Sequence, residues 1–155
     1  MTEKSLQTFF AIYLPINFWL LALLYLLIVK DFSTAIFTVL GGIILRAVCE
    51  VIYFFYKKPR PYQKIGVEPP NSAILLSPFG NKPDSFPSAH AAVMFFGAFF
   101  LIFNSFYFLG SLGFLAAILT SYSRVKLLYH YPIDIFAGAA LASVWLIFMA
   151  FVARM

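Results

Sequence analysis

Polar and apolar positions alternate along this chain on the scale of whole helices. An apolar run from Phe9 to Val29 stops at Lys30-Asp31, and a second runs from Phe32 to Tyr56. After a polar stretch, three more cover Ser88–Phe103, Phe106–Lys126 and Pro132–Val152. A helix needs about 20 apolar residues to cross the hydrocarbon core of a bilayer. The pattern therefore predicts an all-α polytopic membrane bundle of about five transmembrane helices. Asn104-Ser105 is the predicted turn between the third and fourth, with Gly110–Gly113 as a competing position. Pro132 marks the start of the fifth, because proline is well tolerated in the first turn of a helix. The first run is read as a retained helix, since no small-residue cleavage site follows it.

Residues 57–87 form the long polar segment and hold most of the nine prolines. Within it, Ile65–Leu76 is apolar enough to dip into the interface but too short and broken to span. Long loops in compact proteins usually carry function. With five crossings, this segment and the link around residues 123–134 fall on the same membrane face. The chain reads as a single domain, 1–155, without internal repeats.

Composition strengthens the membrane reading: 63% of residues are hydrophobic, 20% aromatic and only 11% charged. The formal net charge of +5 is concentrated at Lys57, Lys58, Arg60, Lys64 and Lys82. A basic cluster beside membrane helices points to lipid headgroups or phosphate, not to nucleic acid. It leaves the side of the site open: the positive-inside rule read plainly puts it in the cytoplasm, but phosphate binding itself demands local lysines, so the charge count does not fix the orientation. The single cysteine, Cys49, is expected to be a small buried hydrophobe. Arg46 and Glu50, four residues apart in the second run, can pair on one helix face. Such a pair is expected to face the protein interior, either fixing helix packing or supporting a site.

Three polar islands carry the candidate chemistry: Lys57-Lys58-Pro59-Arg60-Pro61, Ser85-Phe86-Pro87-Ser88-Ala89-His90, and Ser123-Arg124-x5-His130-x3-Asp134. They contain both histidines of the chain. Arginine presents a planar fork of donors suited to phosphate oxygens, so Arg60 and Arg124 can grip one phosphate from two directions. Ser88 stands at a helix start, where a hydroxyl and exposed backbone N–H groups favour an anion. Asp134 is placed to accept a hydrogen bond from one ring nitrogen of His130, leaving the other to attack. His90, on another helix end, is a candidate general acid. No acidic cluster accompanies these residues, so no metal and no cofactor are expected.

The second and third islands resemble two signature motifs of the type 2 phosphatidic acid phosphatase superfamily. Its middle motif, Pro-Ser-Gly-His, corresponds to Pro87-Ser88-Ala89-His90. Its last, Ser-Arg-x5-His-x3-Asp, is matched in full by Ser123, Arg124, His130 and Asp134. Of the first motif, Lys-x6-Arg-Pro, Arg60-Pro61 match, while Tyr53 stands at the lysine position. The resemblance implies His130 as nucleophile, Asp134 as its partner and His90 as acid. It implies Arg60, Ser88, Arg124 and the backbone around Ala89 as phosphate ligands. Lys57, one turn beyond Tyr53, is the expected substitute for the missing cation, with Arg46 as the deeper alternative. Membrane members commonly have six helices, and the one lacking here would precede the first motif.

The implied function is a metal-independent membrane lipid phosphatase working through a phosphohistidine, in the inner or plasma membrane. Undecaprenyl diphosphate is the first substrate expected, followed by phosphatidic acid, phosphatidylglycerophosphate and lipid A phosphate. A lipid phosphotransferase would use the same site, and Tyr53 raises the further alternative of a catalytically inactive lipid-phosphate-binding protein. A vanadate-dependent haloperoxidase fits less well, since those relatives are soluble.

Overall fold

The computed structural model describes residues 3–67 and 85–152, and the segment 68–84, with most of the Ile65–Leu76 stretch, lies outside them. The first helical rod, α1, runs through Glu3–Thr8, a π-helical stretch Phe9–Tyr13 and Leu14–Ile28. Pro15, which cannot donate a backbone hydrogen bond, stands just beyond the π-helical stretch, after Leu14. Asp31 then caps α2 (Phe32–Phe55), its carboxylate accepting from the Thr34 amide at 3.0 Å and the Thr34 hydroxyl at 2.8 Å. A single turn, α3 (Pro61–Lys64), follows. The remaining helices are α4 (Ala89–Phe103), α5 (Tyr107–Lys126) and α6 (Pro132–Val152).

The bundle is organised around α4, which packs against α2, α5 and α6. Its Ala91, Ala92, Phe96, Ala98 and Leu101 are all buried. Large apolar side chains on the outer helices face outward, among them Leu21, Phe54, Phe136 and Ile147. That is the arrangement a bilayer demands, since lipid solvates the apolar exterior.

Among the described residues four helices are long and apolar enough to cross a membrane, while α4, at 15 residues, is shorter. At 1.5 Å per residue it rises about 22 Å, against a hydrocarbon core of about 30 Å. It does not have to match the bilayer because its neighbours sheathe it. The five expected spans are thus four full-length helices and one short central one.

The turn between α4 and α5 falls at Asn104-Ser105, with Ser105 at φ 68°. Gly110 and Gly113 lie inside α5, where they let it approach Ile102 and Phe18. Cys49 is buried as expected. The Arg46–Glu50 pair does form, but both side chains are about 40% exposed and line a cavity instead of the packed core. The closest helix contact near the polar end is at Gly138 of α6. A Cβ there would sit 2.6 Å from the Ser88 carbonyl oxygen and 3.1 Å from the Ala92 amide nitrogen.

Candidate active site

Three chain segments are stitched together by backbone hydrogen bonds at one end of the bundle. The Ser85 amide donates to the Lys58 carbonyl at 3.1 Å, and the Ser88 amide to the Asp134 carbonyl at 2.9 Å. The Tyr62 amide donates to the Leu128 carbonyl at 3.2 Å. The three polar islands therefore share one face, as the crossing count requires.

His130 lies in the short link before α6, almost fully buried. Its Nδ1 is 2.8 Å from the carbonyl oxygen of Ser85. A carbonyl only accepts, so Nδ1 carries the proton and Nε2 is the nitrogen with a lone pair. The expected bond from His130 to Asp134 is not the one formed: the nearer carboxylate oxygen is 3.9 Å from Nδ1, beyond hydrogen-bonding distance. The i, i+4 spacing fails here because α6 begins only at Pro132, so His130 is not on the same helical turn as Asp134.

Asp134 instead accepts from the Ser85 hydroxyl at 2.5 Å, the Tyr131 amide at 2.8 Å and the Lys58 ammonium at 2.6 Å. It acts on His130 through Ser85, whose hydroxyl it holds and whose carbonyl orients the ring. Burial first, then the charges of Arg124 and Arg60, push the His130 pKa well below the usual histidine range. That shift favours the neutral ring.

Arg124 sits in the last turn of α5 and is 3% exposed. Its guanidinium lies 4.9 Å from the centroid of the Tyr129 ring, and that of Arg60 lies 5.9 Å from the same ring. The two arginines thus come from different elements to one aromatic platform. Among the described residues, Nε and Nη1 of Arg124 have no hydrogen-bond partner. Buried cationic donors of this kind are costly unless an anion takes them.

Arg60 precedes α3, where its amide donates to Gln63 Oε1 at 2.8 Å and Pro61 opens the helix. Ser88 caps α4, its hydroxyl accepting from the Ala91 amide at 3.4 Å. His90, in the first turn, lines a cavity of about 770 Å³ that runs between α1 and α2.

The first island behaves differently from expectation. Lys57 is exposed, with its ammonium 5.9 Å from the Phe54 ring, and it is Lys58 that reaches the buried carboxylate. The reason is that α2 ends at Phe55, so the one-turn overlay of Tyr53 and Lys57 does not extend that far. Tyr53 is itself buried, and its hydroxyl donates to the Pro87 carbonyl at 2.7 Å and accepts from the Ala89 amide at 3.2 Å. The residue at the lysine position thus pins the turn that carries Ser88 and His90. The Ala89 amide, expected to face phosphate, is engaged by that hydroxyl.

Lys58, Ser85 and Tyr129 have structural roles here that their types did not announce. Lys58 and Ser85 lie within the polar islands, which is the only signal the sequence offers for them. Among the described residues, no three His, Cys, Asp or Glu side chains gather into a group that could hold a metal ion.

This constellation, two arginines about one ring and a buried neutral histidine, rests on motifs that a family comparison recovers as well. Residues 19–154 match the PAP2 superfamily. The chain belongs to that superfamily. As a PAP2 protein it is an integral membrane phosphatase, in keeping with its long apolar helices. It is similar to the undecaprenyl-diphosphatase of Sulfolobus acidocaldarius, with 32% identity over 152 residues, covering 96% of this chain and 69% of that protein. No solved structure matches it.

Proposed function

We propose that the protein removes the terminal phosphate of an isoprenoid diphosphate at the membrane surface, through a phosphohistidine on His130. The observation that carries this reading is the fixed tautomer of His130. The Ser85 carbonyl accepts the hydrogen bond from Nδ1–H, so Nε2 keeps its lone pair, in a ring that feels the charges of Arg124 and Arg60. In the first step Nε2 attacks the terminal phosphorus, and the bond from phosphorus to the leaving oxygen breaks. His90 gives that oxygen its proton, since the bound phosphate's negative charge favours a protonated imidazole there. In the second step water, deprotonated by His90, attacks the phosphohistidine and releases inorganic phosphate. Arg60, Arg124 and the Ser88 hydroxyl stabilise the phosphoryl oxygens throughout.

The lipid character of the substrate is supported by the cavity beside His90. Its walls include Ile12, Trp19, Leu20, Ile43 and Val93, a path for a hydrocarbon chain. The similarity to an undecaprenyl-diphosphatase supports undecaprenyl diphosphate as the first substrate to test. Phosphatidic acid, phosphatidylglycerophosphate and lipid A phosphate are the competitors.

The test is phosphate release by purified protein from this panel of lipids, with EDTA present and an acceptor lipid added in a parallel reaction. Release from the diphosphate, undiminished by EDTA, is the expected result. Phosphate found on the acceptor lipid would mean a transferase. Loss of activity in EDTA with recovery on adding magnesium would overturn the metal-independent route.

A further inference from the structure

We propose that Arg46 binds the lipid-side phosphate of a diphosphate substrate, the one that departs with the hydrocarbon chain, and so makes the enzyme prefer diphosphates to monophosphates. The inference rests on the hydrolase reading above and assigns its substrate class. Its basis is the cavity that begins at His90. That cavity is apolar along nearly its whole length, yet its wall carries Arg46 in contact with Glu50. An ion pair on a membrane-embedded wall is costly, and such residues usually mark a ligand path. This pair does not tie two helices together, since both residues belong to α2. Both side chains are partly exposed, 39% and 41%, and both line the cavity.

The depth fits as well. Tyr53 marks the floor of the phosphate site through its bonds to Pro87 and Ala89. Arg46 is seven residues earlier on the same helix face, about 10 Å further into the bilayer at 1.5 Å per residue. Its long side chain can reach back from there toward the headgroup layer. His90 lies on the same cavity wall. The charge of Arg46 is also felt at His130, where it adds to the effect of Arg124 and Arg60. A substrate with its terminal phosphate at His130 and its chain in the cavity therefore brings its second phosphate past His90 toward Arg46.

The chemistry uses that position. When Nε2 of His130 bonds to the terminal phosphorus, the bond to the bridging oxygen breaks. Its electron pair stays on the lipid-side phosphate, which gains negative charge in the transition state. A guanidinium has five N–H donors, and contact with Glu50 engages only Nη2. The remaining donors can take phosphate oxygens while Glu50 holds the group in place. A lipid monophosphate has no second phosphate to present, so Arg46 cannot assist its hydrolysis in this way.

The experiment compares farnesyl diphosphate with farnesyl monophosphate, using purified wild type, Arg46→Gln, Arg46→Lys and the double variant Arg46→Gln/Glu50→Gln in detergent. The ratio of kcat/KM for diphosphate over monophosphate should fall about 10- to 100-fold in Arg46→Gln and in the double variant, with an intermediate fall in Arg46→Lys. Monophosphate hydrolysis should stay within about twofold of wild type, which also reports an intact fold. The double variant covers the case in which a lone Glu50 carboxylate unfolds the single one. A ratio that does not move, whether both rates hold or both fall together, would overturn the role of Arg46 and leave the hydrolase reading standing. A wild type inactive on both substrates would instead overturn the hydrolase reading.

Discussion

The Lys58 ammonium lies 2.6 Å from the carboxylate of Asp134, a residue with no solvent exposure, while its neighbour Lys57 rests against the ring of Phe54. Two adjacent lysines therefore have opposite surroundings. The same carboxylate holds Ser85, whose carbonyl orients His130, so Lys58 belongs to the support of that ring.

Replacing the two lysines in turn separates these surroundings. Lys58→Met leaves a buried carboxylate short of its cation and should cost about 2–3 kcal/mol of stability. That is near the low end for breaking a buried pair, because two other donors remain on Asp134. Phosphate release should fall at least about tenfold with it. Lys57→Met should change either quantity little, as most exposed substitutions do. Thermal melts in detergent and initial rates on one substrate check both, and equal effects from the two lysines would refute the assignment.

At the phosphate itself, His130→Ala should reduce turnover to background in folded protein, because the proposed role of His90 is proton transfer and not attack. Arg60→Lys and Arg124→Lys keep their charge but lose the planar fork, and a charged hydrogen bond is worth about 1.5–3 kcal/mol. Rates should drop roughly 10- to 100-fold in each. Wild-type rates in either lysine variant would reduce that arginine to a packing role against Tyr129.

Tyr53 offers a sharper test, since a family lysine stands in its place. Tyr53→Phe removes the hydroxyl that bridges Pro87 and Ala89, leaving a buried amide and carbonyl unpaired, at a cost of about 1–3 kcal/mol. Tyr53→Lys restores the family residue but not the bridge, and it should be the less active of the two. A melting series with matched phosphate-release rates decides it. A Tyr53→Lys protein more active than wild type would show that the tyrosine merely fills a missing cation's place.

The pH profile carries a sign that can be stated in advance. The proposed attack by His130 requires a neutral ring, and its folded-state pKa lies below the ordinary value of 6.5. The acid limb of kcat/KM, which reports the free enzyme, should therefore lie below pH 6.5. Arg60→Met removes one of the cations that disfavour protonation, so the limb should move to higher pH. With two histidines in the chain, nitrogen-15 spectra of labelled protein, assigned with His90→Gln, provide an independent reading of the same pKa.

The sequence displays the bundle because each long helix presents an uninterrupted apolar run, and a bilayer imposes that pattern directly. It displays the face of the site because crossings can be counted. What it conceals follows from local geometry. The acceptor for His130 is a backbone carbonyl, and any residue type at 85 supplies one, so the motif spacing points to Asp134 instead. The choice between Lys57 and Lys58 turns on where α2 stops, at Phe55, and helix ends are read from sequence only to within a residue or two. The short length of α4 is likewise hidden: a sheathed helix and a lipid-facing one are equally apolar, and Ala89–Phe103 carries no mark of being enclosed.

Gly138 touches no phosphate and bears no functional group, yet its missing side chain lets α6 come to rest on the backbone of Ser88 and Ala92. His90 lies between those two residues, and His130 is held just ahead of the same α6 helix. The gap between the attacking imidazole and the protonating one is therefore machined by a helix crossing. A single methyl group at 138 would act as a wedge, prying the proposed nucleophile and its proton donor apart without altering either residue.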